Sequence, residues 1–411
     1  MFYQEVVKVL EILNDIVVEN NTRLVLFVLD GLGDLPHPDY GYKTPLEVAK
    51  KENILKLLRK SALGMAYPVG LGITVGSGPG HTALFGFDPI KYQIKRGILE
   101  VIGMDMEVQK NSIAIRGNWA TVKREGNKFI VLDRRAGRLP TEENKKNLSK
   151  IQSILKDIED KFNVIIQIKS GMEHRLALTI TPKDENEKLI VDVFTNDPQK
   201  EGKEVINFPP SSAIGSILEE INNRVFELLK NERANYILFR GITDVPHLPN
   251  FEQVYKVKPL ALAQYPMYLG IAKLFGFNTF KIDNYENITD YFANYDFIFI
   301  HYKYTDMAGE DGNFESKVEH IEKADKIVEK IMKSDPDVLV ITGDHSTPCI
   351  YKSHGFQPTP YMIYSKRGDV FGINNDFNER ECFKGELGIF PLVNNIQLML
   401  AYGRRLQKFG A

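Results

Sequence analysis

Short apolar runs alternate with amphipathic segments in the first and last parts of the chain. The runs "RLVLFVL" (23–29), "YDFIFIHY" (295–302) and "DVLVIT" (337–342) are largely apolar over 6 to 8 residues, which is typical of strands covered on both faces of a parallel sheet. Residues 44–60 and 315–333 instead repeat their apolar positions at helical spacing. This strand–helix alternation predicts an α/β fold with a doubly wound sheet.

The middle of the chain has a different pattern, with many turn residues between short segments. Its strand-like segments are "NSIAIRGNWATV", "NKFIVLD", "FNVIIQIKS", "RLALTITP" and "KLIVDVF". Residues 144–162 and 211–232 have helical periodicity. We therefore expect a smaller α+β domain, residues 108–256, inserted into a core domain formed by 1–107 and 257–411.

Composition and charge narrow the class of partner. Lys and Arg number 52 against 54 Asp and Glu, a formal charge of -2, so no overall basic character favours nucleic acid or an anionic membrane. No apolar stretch approaches the roughly 20 residues that span a bilayer, and acidic and basic residues interrupt the helical spacing of the N-terminal residues 3–20. We expect a soluble protein acting on a small molecule; the sequence leaves open whether identical chains associate.

The two cysteines indicate a reducing compartment. Cys349 and Cys382 are the only cysteines of the chain, too few for a disulfide framework. Their scarcity also excludes a metal site built from thiolates alone. The expected location is the cytoplasm.

Candidate metal ligands follow the ends of the three apolar runs. They are Asp30, Asp306, Asp344, His345 and His354. Because ligands bind at the carboxyl ends of strands in open α/β sheets, these side chains are expected at one edge, where carboxylates and imidazoles suit Mn²⁺, Zn²⁺ or Mg²⁺. A lone "GDHS" fits equally well a turn that caps the next element. Its combination with "VLDG" and "TDMAG" favours a metal site.

The glycine-rich segment "VGSGPGH" (75–81) carries a serine and a histidine. Three glycines and a proline predict a shaped loop, since they form poor helices and strands. Ser77 fits a nucleophile, a phosphate ligand or part of a turn, and this stretch alone does not decide between them. The chain contains no GxxxxGK[ST], and the spacing of Gly70, Gly72 and Gly76 departs from GxGxxG, which argues against a nucleotide site.

The motifs occur in an order that resembles one known family. They are "LFVLDGLGD", "TPLEVA", "GSGPGHTALFGFDP", "RGILEVIG", "AIRGNWATV", "DRRAGR", "YKYTDMAGEDG" and "TGDHSTP". Together they resemble the archaeal-type cofactor-independent phosphoglycerate mutases of the alkaline phosphatase superfamily. The resemblance extends from about Arg23 to the C-terminal "GELG", which is nearly the whole chain.

The resemblance implies an isomerase with an alkaline-phosphatase-like core. Such an enzyme interconverts 3-phosphoglycerate and 2-phosphoglycerate, in glycolysis and gluconeogenesis, without bisphosphoglycerate. Ser77 matches the serine that contacts the metals and carries the phosphoryl group as phosphoserine. The matching ligands are Asp30, Asp344 and His345 for the metal that activates this serine, and Asp306 and His354 for a second metal.

One position departs from the family pattern. The pattern D-x-x-x-H after Asp306 would place a histidine at position 310, where this chain has Glu310. A carboxylate also ligates metals, so we carry the metal role over to Glu310. A carboxylate is a harder ligand than an imidazole and adds negative charge to the site. The hypothesis is therefore that the site prefers Mn²⁺ or Mg²⁺ over Zn²⁺.

The substrate's carboxylate and phosphate require basic groups. The candidates are His81, Arg135, Arg138, His174, Arg175 and Arg240. We rank Arg175 and Arg240 above Arg134 because they border apolar strands. By the resemblance, Asp133 acts as acid and base on the glycerate hydroxyls. Lys303, three residues before Asp306, either touches the phosphoryl oxygens or only extends its ammonium to solvent.

Two further histidines carry no predicted chemistry, and two rival functions fit part of the motif pattern. His301 and His320 are interpreted as structural. A metal-dependent phosphatase or another phosphomutase of the same superfamily would share the serine and the metals, and the motifs "IRGNWATV" and "DRRAGR" favour the mutase. A catalytically inactive binding protein is the alternative that Glu310 suggests, but the intact serine and metal ligands argue against it.

Overall fold

A computed structural model describes residues 12–13 and 15–410, and the chain divides into two compact units. One unit takes in the chain up to Gln93 and from Leu248 onward, and the other is Ile94–His247. The junctions therefore lie at 93/94 and 247/248, whereas the sequence placed them at 107/108 and 256/257. Most of the N-terminal helical pattern lies outside the described residues.

The helices and strands of the described residues are numbered here in chain order. The strands are β1 (Leu24–Leu29), β2 (Ser61–Tyr67), β3 (Ile113–Glu125), β4 (Lys128–Asp133), β5 (Val164–Ser170), β6 (Arg175–Pro182), β7 (Tyr236–Asp244), β8 (Pro259–Ala263), β9 (Asn278–Lys281), β10 (Phe297–Tyr302), β11 (Val338–Thr342), β12 (Thr359–Ser365) and β13 (Gly388–Pro391). The α-helices are α1 (Pro45–Val48), α2 (Glu52–Leu55), α3 (Ser77–Leu84), α4 (Arg96–Gly103), α5 (Thr141–Phe162), α6 (Ala213–Leu229), α7 (Phe251–Tyr255), α8 (Pro266–Leu274), α9 (Tyr304–Asp311), α10 (Phe314–Met332), α11 (Glu379–Lys384) and α12 (Asn395–Tyr402).

The first unit is built on a sheet in the order β13-β2-β12-β11-β1-β10-β8-β9. The central β1 pairs in parallel with β10 on one side and β11 on the other, as the three apolar runs predict. β12 is antiparallel to both β11 and β2, so the sheet is mixed. Val25, Phe27 and Leu29 of β1 belong to one apolar cluster with Ile321 and Val328 of α10, which covers that face of the sheet.

The helix expected over 44–60 is interrupted. The chain forms α1 and α2, and then a 3₁₀ turn at Leu58–Lys60. The backbone of Ala49 is extended (φ -61°, ψ 138°). The buried Lys51 ammonium donates to the carbonyls of Leu46 (2.7 Å) and Ala49 (3.3 Å), and it forms an ion pair with Asp376 (3.0 Å). Because a side chain satisfies these carbonyls, the helix ends where periodicity alone would continue it.

The second unit is an antiparallel sheet covered by two helices. Its order is β4-β3-β6-β5, with β7 paired to β3. Apolar residues of α5 and α6 share a buried cluster with Ile115 and Trp119 of β3 and Phe239 of β7. Because side chains alternate along a strand, the intervening Arg116, Asn118 and their neighbours on the adjacent strands lie on the sheet face opposite these helices. The predicted mixture of strands and helices is therefore confirmed.

The prediction of a strand over 188–194 is wrong. Val193 is buried in the core of the second unit, but the segment pairs with no strand. The free edge of β7 is instead occupied by two side-chain amides: Asn196 Oδ1 accepts from Phe239 N (2.6 Å), and Asn222 Oδ1 accepts from Ile237 N (3.0 Å). Because the backbone groups of this edge already have partners, no ladder forms there.

The glycine-rich segment is not only a loop. Helix α3 begins at Ser77 and includes Gly78, Pro79, Gly80 and His81. A proline in the first turn removes an N–H that has no partner within the helix in any case. Among the described residues, none of the helices has the length and apolarity needed to cross a membrane.

Candidate functional site

Three strand ends bring carboxylates together at one edge of the large sheet. Asp30 follows β1, Asp306 lies in the first turn of α9 after β10, and Asp344 follows β11 after one glycine. All three are completely buried. Because β1 lies between β10 and β11 with the same direction, the carboxyl ends of these strands adjoin, as the sequence predicts.

A first candidate metal cluster consists of Asp30, Asp344 and His345. His345 Nε2 lies 3.3 Å from Asp30 Oδ1 and 3.3 Å from Asp344 Oδ2. These three buried atoms have no hydrogen-bond partner in the described residues. Buried polar atoms rarely lack partners, so converging unpartnered oxygens and an imidazole nitrogen fit a divalent cation.

A second candidate cluster consists of Asp306, His354 and again His345. His354 Nε2 lies 3.6 Å from Asp306 Oδ1, and the two imidazole rings stack with centroids 3.8 Å apart. Glu310 is at the rim: its carboxylate is half exposed and 3.7 Å from His354 Nε2.

Hydrogen bonds fix the tautomers of both histidines. His354 Nδ1 lies 2.8 Å from the carbonyl of Val75, which only accepts, so Nδ1 carries the proton. The Thr347 hydroxyl donates to Asp306 Oδ1 (2.5 Å) and lies 3.1 Å from His345 Nδ1, so this nitrogen donates to the hydroxyl. In both imidazoles Nδ1 is thus engaged as a donor, which leaves Nε2, the nitrogen that faces the carboxylates, as the atom that can bind a metal.

Cationic and imidazole groups keep the buried carboxylates ionised. Burial raises the pKa of Asp30, but Lys303, His301 and His345 together hold it well below its usual range. Burial also opposes ionisation of Asp344, and His345 and His81 lower its pKa. Asp30 and Asp344 are therefore ionised before any metal binds.

Lys303 lies between the two clusters. Its ammonium donates to Asp306 Oδ2 (2.5 Å) and to Asp30 Oδ2 (3.2 Å). The sequence suggested contact with phosphoryl oxygens or a solvated lysine. The structure instead pairs this ammonium with carboxylates from both strand ends, and it is mostly buried.

Ser77 is held against this edge by its own helix. The next turn approaches Asp344 so closely that a Cβ on Gly80 would lie 2.6 Å from the Asp344 carbonyl oxygen. His81 Nδ1 lies 2.8 Å from the Ser77 carbonyl and 3.3 Å from Asp344 Oδ2. His81 was expected to bind substrate. It is completely buried, and its Nδ1 instead faces the Ser77 carbonyl and the Asp344 carboxylate.

Two buried residues beside the serine were missed or misread. His301 was interpreted as structural, yet its Nε2 donates to Asp30 Oδ2 (3.1 Å). Burial lowers the pKa of His301 to about 4, so the ring is neutral. Tyr268 stacks on it, with centroids 3.5 Å apart, and burial, with the charges of Asp30 and Asp344, raises the pKa of the Tyr268 hydroxyl. By contrast His320 bonds Tyr302 Oη (2.9 Å) and stacks on a neighbouring tyrosine, a packing role as expected.

Lys317 organises the loops around the ligands. It is completely buried in α10, and its ammonium donates to Asp34 Oδ2 (2.8 Å) and to the carbonyls of Gly31 (3.0 Å) and Thr347 (2.8 Å). These acceptors come from the loops after β1 and β11. The sequence shows Lys317 only as one of many charges on a polar helix, so it carried no signal of this role.

The second unit contains a cavity of about 290 Å³ lined largely by arginines. Its lining residues are Arg116, Asn118, Arg134, Arg135, Arg138, Glu173, His174, Arg175 and Arg240. Arg116 Nε, Asn118 Oδ1 and His174 Nδ1 are buried without a hydrogen-bond partner in the described residues. Burial, and then the charge of Arg135, lowers the pKa of His174. This cavity is therefore suited to an anionic ligand.

Five of the residues predicted as basic substrate contacts line the cavity. Asp133, which was predicted to act as acid and base, does not. Both Asp133 oxygens accept backbone amides, from Arg135 (2.8 Å) and Gly137 (2.5 Å), which shapes the turn after β4 and leaves no contact with the cavity. Arg116, Asn118 and Arg134 were not predicted. For Arg116 and Asn118 the alternation within "IRGN" was an available signal, because it places both on one face of β3.

Comparison with known proteins agrees with this geometry. Residues 22–399 match the metalloenzyme superfamily. The chain is 44% identical over 413 residues to a protein of Aquifex aeolicus that bears the name probable 2,3-bisphosphoglycerate-independent phosphoglycerate mutase, covering 98% of this chain and 100% of the relative. A Thermosipho melanesiensis protein with the same name is 43% identical over 98% of this chain and 99% of its own length.

Solved structures give the same result. A Pyrococcus horikoshii protein superposes with a TM-score of 0.76 at 28% identity, over 96% of this chain and 100% of its own. The cofactor-independent phosphoglycerate mutase of Thermoplasma acidophilum superposes with a TM-score of 0.71 at 26% identity, over 93% of this chain and 100% of its own.

Proposed function

Because the chain belongs to the 2,3-bisphosphoglycerate-independent phosphoglycerate mutases of the metalloenzyme superfamily, we propose that it interconverts 3-phosphoglycerate and 2-phosphoglycerate through a phosphoserine at Ser77. The observation that carries this proposal is a serine at a helix start whose backbone carbonyl shares His81 Nδ1 with Asp344, a member of one of two clusters of metal-type ligands. The same chain provides a separate arginine-lined cavity for an anion.

In the proposed reaction the phosphoryl group moves twice. Ser77 Oγ attacks phosphorus of 3-phosphoglycerate as its proton is lost, the bond from phosphorus to the C3 oxygen breaks, and that oxygen becomes a hydroxyl. The C2 hydroxyl then attacks the phosphoserine and loses its proton, the bond from phosphorus to Ser77 Oγ breaks, and Ser77 Oγ takes up a proton to become a hydroxyl again. Atoms and charge balance without any co-reactant, which is why no bisphosphoglycerate is needed.

Divalent cations fit the ligand sets described above. Asp30, Asp344 and His345 would hold one ion, and Asp306 and His354 the other, with Glu310 at its rim. When bound, such ions act as Lewis acids that lower the pKa of a serine hydroxyl and neutralise phosphoryl oxygens. We propose Mn²⁺ or Mg²⁺ rather than Zn²⁺, because Glu310 adds a carboxylate near His354. Metal-stripped protein whose activity returned with Zn²⁺ alone would contradict this preference.

The side chains around Ser77 orient it. Asp344 and His81 anchor the start of α3, and the amides of its first turn favour a negatively charged group. Lys303 supplies a cation within reach of Asp30 and Asp306. These groups stabilise charge that develops on the phosphoryl oxygens.

The arginine-lined cavity favours a mutase over a phosphatase. A mutase must retain glycerate while its C2 hydroxyl replaces its C3 hydroxyl, whereas a phosphatase releases the alcohol. We assign the cavity to the glycerate carboxylate, because arginine forks bind carboxylates with two parallel hydrogen bonds. On this proposal residues 94–247 act as the inserted substrate-binding domain.

An enolase-coupled assay tests the function. Protein with Mn²⁺ is given 3-phosphoglycerate without bisphosphoglycerate, and inorganic phosphate is measured in parallel. The expected result is 2-phosphoglycerate formation with little phosphate release. Phosphate release alone would show a phosphatase, and neither product would show a binding protein without this activity.

A further inference from the structure

Asp197 lies behind the arginine-lined cavity rather than in it. Its side chain is completely buried, while the guanidinium groups of Arg134 and Arg240 remain partly exposed. Arg134 donates with Nε to Oδ1 (2.9 Å) and with Nη2 to Oδ2 (2.7 Å). Arg240 Nε lies 3.6 Å from the same Oδ2. One carboxylate therefore fixes two arginines that line the cavity, and it has no surface to offer a ligand.

The carboxylate is itself rigidly held. Asp197 Oδ1 accepts from the amide of Gln199 (2.8 Å), and Asp197 N donates to Thr195 Oγ1 (3.0 Å). Thr195 Oγ1 donates in turn to the Phe239 carbonyl of β7 (2.9 Å), and the backbone amide of Asn196 donates to the same carbonyl. The irregular segment that follows 188–194 thus attaches Asp197 to the strand that carries Arg240.

The two contacts differ in kind. The Arg134 pair has the two-bond geometry in which a planar fork is held in one orientation. Arg240 Nε lies only within ion-pair distance of Asp197 Oδ2. Although burial raises the pKa of Asp197, the hydrogen bonds from Arg134 and Gln199 lower it overall, so the carboxylate stays charged against both guanidinium groups.

We propose that Asp197 is a positioning residue that sets the orientation of Arg134 and Arg240 for binding the glycerate part of the substrate. The inference rests on the proposed function, because it takes the cavity as the glycerate site. Asp197 touches no ligand and acts only through the two arginines.

Two effects of the carboxylate have opposite consequences. If Asp197 only reduced the positive charge of the cavity, removing its charge would strengthen the binding of an anion. If it positions the arginines, removing its charge frees Arg134 to rotate, and binding weakens although the cavity becomes more positive. The sign of the change therefore separates positioning from simple charge balance.

The test is Asp197→Asn in the full-length protein. In a Ser77→Ala background, which blocks turnover, calorimetry with Mn²⁺ measures the Kd of 3-phosphoglycerate. We expect Kd to rise about tenfold or more, since hydrogen bonds to charged groups contribute about 1.5–3 kcal/mol. In the enzyme with Ser77 intact, KM should rise by a similar factor and kcat should change far less, because the arginines bind the ground and transition states alike.

Two further variants control the result. Glu220→Gln removes a carboxylate that pairs with Arg224 (2.8 Å) and Lys161 (3.0 Å) elsewhere in the same unit, and it should leave Kd and KM unchanged. Arg134→Lys keeps the charge but loses the fork, so it should raise Kd like Asp197→Asn. The double variant should add nothing to either single change. If Asp197→Asn folds poorly, Arg134→Lys alone still tests the proposal, because an unchanged Kd in that variant would show that the fork held by Asp197 is not needed for binding.

The outcomes are distinct. Unchanged or tighter binding by Asp197→Asn, or fully additive effects with Arg134→Lys, would overturn the positioning role. So would a Ser77→Ala parent that does not bind 3-phosphoglycerate. A parent enzyme that binds 3-phosphoglycerate but forms no 2-phosphoglycerate would instead refute the mutase reaction, and the calorimetric comparison would still decide the role of Asp197.

Discussion

At the scale of single residues, Ser77 is the group that the proposed reaction requires. Ser77→Ala removes the only protein atom that bonds to phosphorus in the proposed reaction, so we expect turnover to fall by at least about 10³-fold. Binding of Mn²⁺ should persist, because the carboxylate and imidazole ligands are unchanged. Coupled kinetics and metal titration measure the two properties separately.

A second serine serves as the matched control, and the phosphoserine itself can be detected. Ser149 hydrogen-bonds only its own helix, through the Lys145 carbonyl (3.0 Å), so Ser149→Ala should retain full turnover. Mass spectrometry of acid-quenched enzyme should find phosphate on the peptide that contains Ser77. Substantial turnover by Ser77→Ala, or phosphate consistently on another peptide, would contradict the assignment.

A second residue, Glu379, makes stability depend on pH. It is buried, accepts from Asp34 N (3.1 Å) and bonds Thr44 Oγ1 (2.6 Å), and burial raises its pKa from 4.5 to about 7. The folded protein therefore keeps a proton that the unfolded chain releases above its lower pKa. The retained proton on Glu379 makes its full contribution to the free energy of unfolding at acid pH. This contribution declines as pH rises through 7, by about 3 kcal/mol in total.

Glu379→Gln should remove this dependence. The free energy of unfolding from urea titrations should match that of the parent near pH 4 and exceed it at pH 8 and above. Glu381→Gln, on the same helix but paired with Lys384 (3.0 Å) at the surface, should leave the pH profile unchanged. Equal pH slopes for Glu379→Gln and the parent would contradict the buried-proton argument.

The sequence predicted residues whose role depends on local position and missed those that depend on distant partners. Asp30 and Asp344 were predicted because each directly follows an apolar strand. Lys317 and Asp197 were not, because their partners lie far away along the chain. A buried lysine and a surface lysine have the same letter on an amphipathic helix, and only packing separates them.

At the scale of elements, α3 is where packing and catalysis meet. An alanine within a helix normally stabilises relative to glycine by about 0.5–1 kcal/mol. At Gly80 the added Cβ would lie 2.6 Å from the Asp344 carbonyl oxygen and 3.1 Å from its Cβ. We therefore expect Gly80→Ala to destabilise by about 1–3 kcal/mol and to lower turnover by displacing Asp344. Thermal unfolding and coupled kinetics measure both.

Gly76→Ala is the matched control for stability. Gly76 precedes the same helix with an extended backbone (φ -95°, ψ 176°), and a Cβ there meets nothing within 4 Å. Its weaker capping is offset by reduced freedom of the unfolded chain, so stability should change by less than about 0.5 kcal/mol. If both alanines were equally tolerated, close contact with Asp344 would not be the reason for glycine at position 80.

The elements that were predicted correctly are those whose own pattern decides their structure. The apolar runs of β1, β10 and β11 are buried strands, and α10 follows its periodicity. The predictions that were wrong concern segments where side chains compete with backbone pairing. The Lys51 ammonium ends α1 by binding its carbonyls, and the Asn196 side chain occupies the edge of β7 where residues 188–194 were expected to pair. Such competition involves long-range partners, which periodicity does not reveal.

At the scale of the whole molecule, the α/β class with a second α+β unit followed from element order alone. The position of the junctions did not. Helix α4 belongs with the second unit because it packs on β3 and β7 so closely that a Cβ on Gly97 would lie 2.8 Å from the Ala114 carbonyl oxygen. In the sequence, α4 resembles any other amphipathic helix of the first unit.

Two units with separate cores predict that metal stabilises only one of them. All candidate ligands lie in the unit of β1, β10 and β11, whereas Trp119, the only tryptophan of the chain, is buried in the other. Tryptophan fluorescence therefore reports unfolding of residues 94–247, and far-ultraviolet circular dichroism reports both units. A ligand at 100 times its Kd stabilises the state that binds it by about 2.7 kcal/mol.

Removing metal with a chelator should thus lower the dichroism transition by several degrees and leave the fluorescence transition in place. Restoring Mn²⁺ should reverse the change in the parent but not in Asp30→Asn, which lacks a carboxylate of the first cluster. If the fluorescence and dichroism transitions shifted together, the two units would unfold as one cooperative body. If neither shifted, the clustered carboxylates and imidazoles would not hold a metal, and the argument for Ser77 would lose its physical basis.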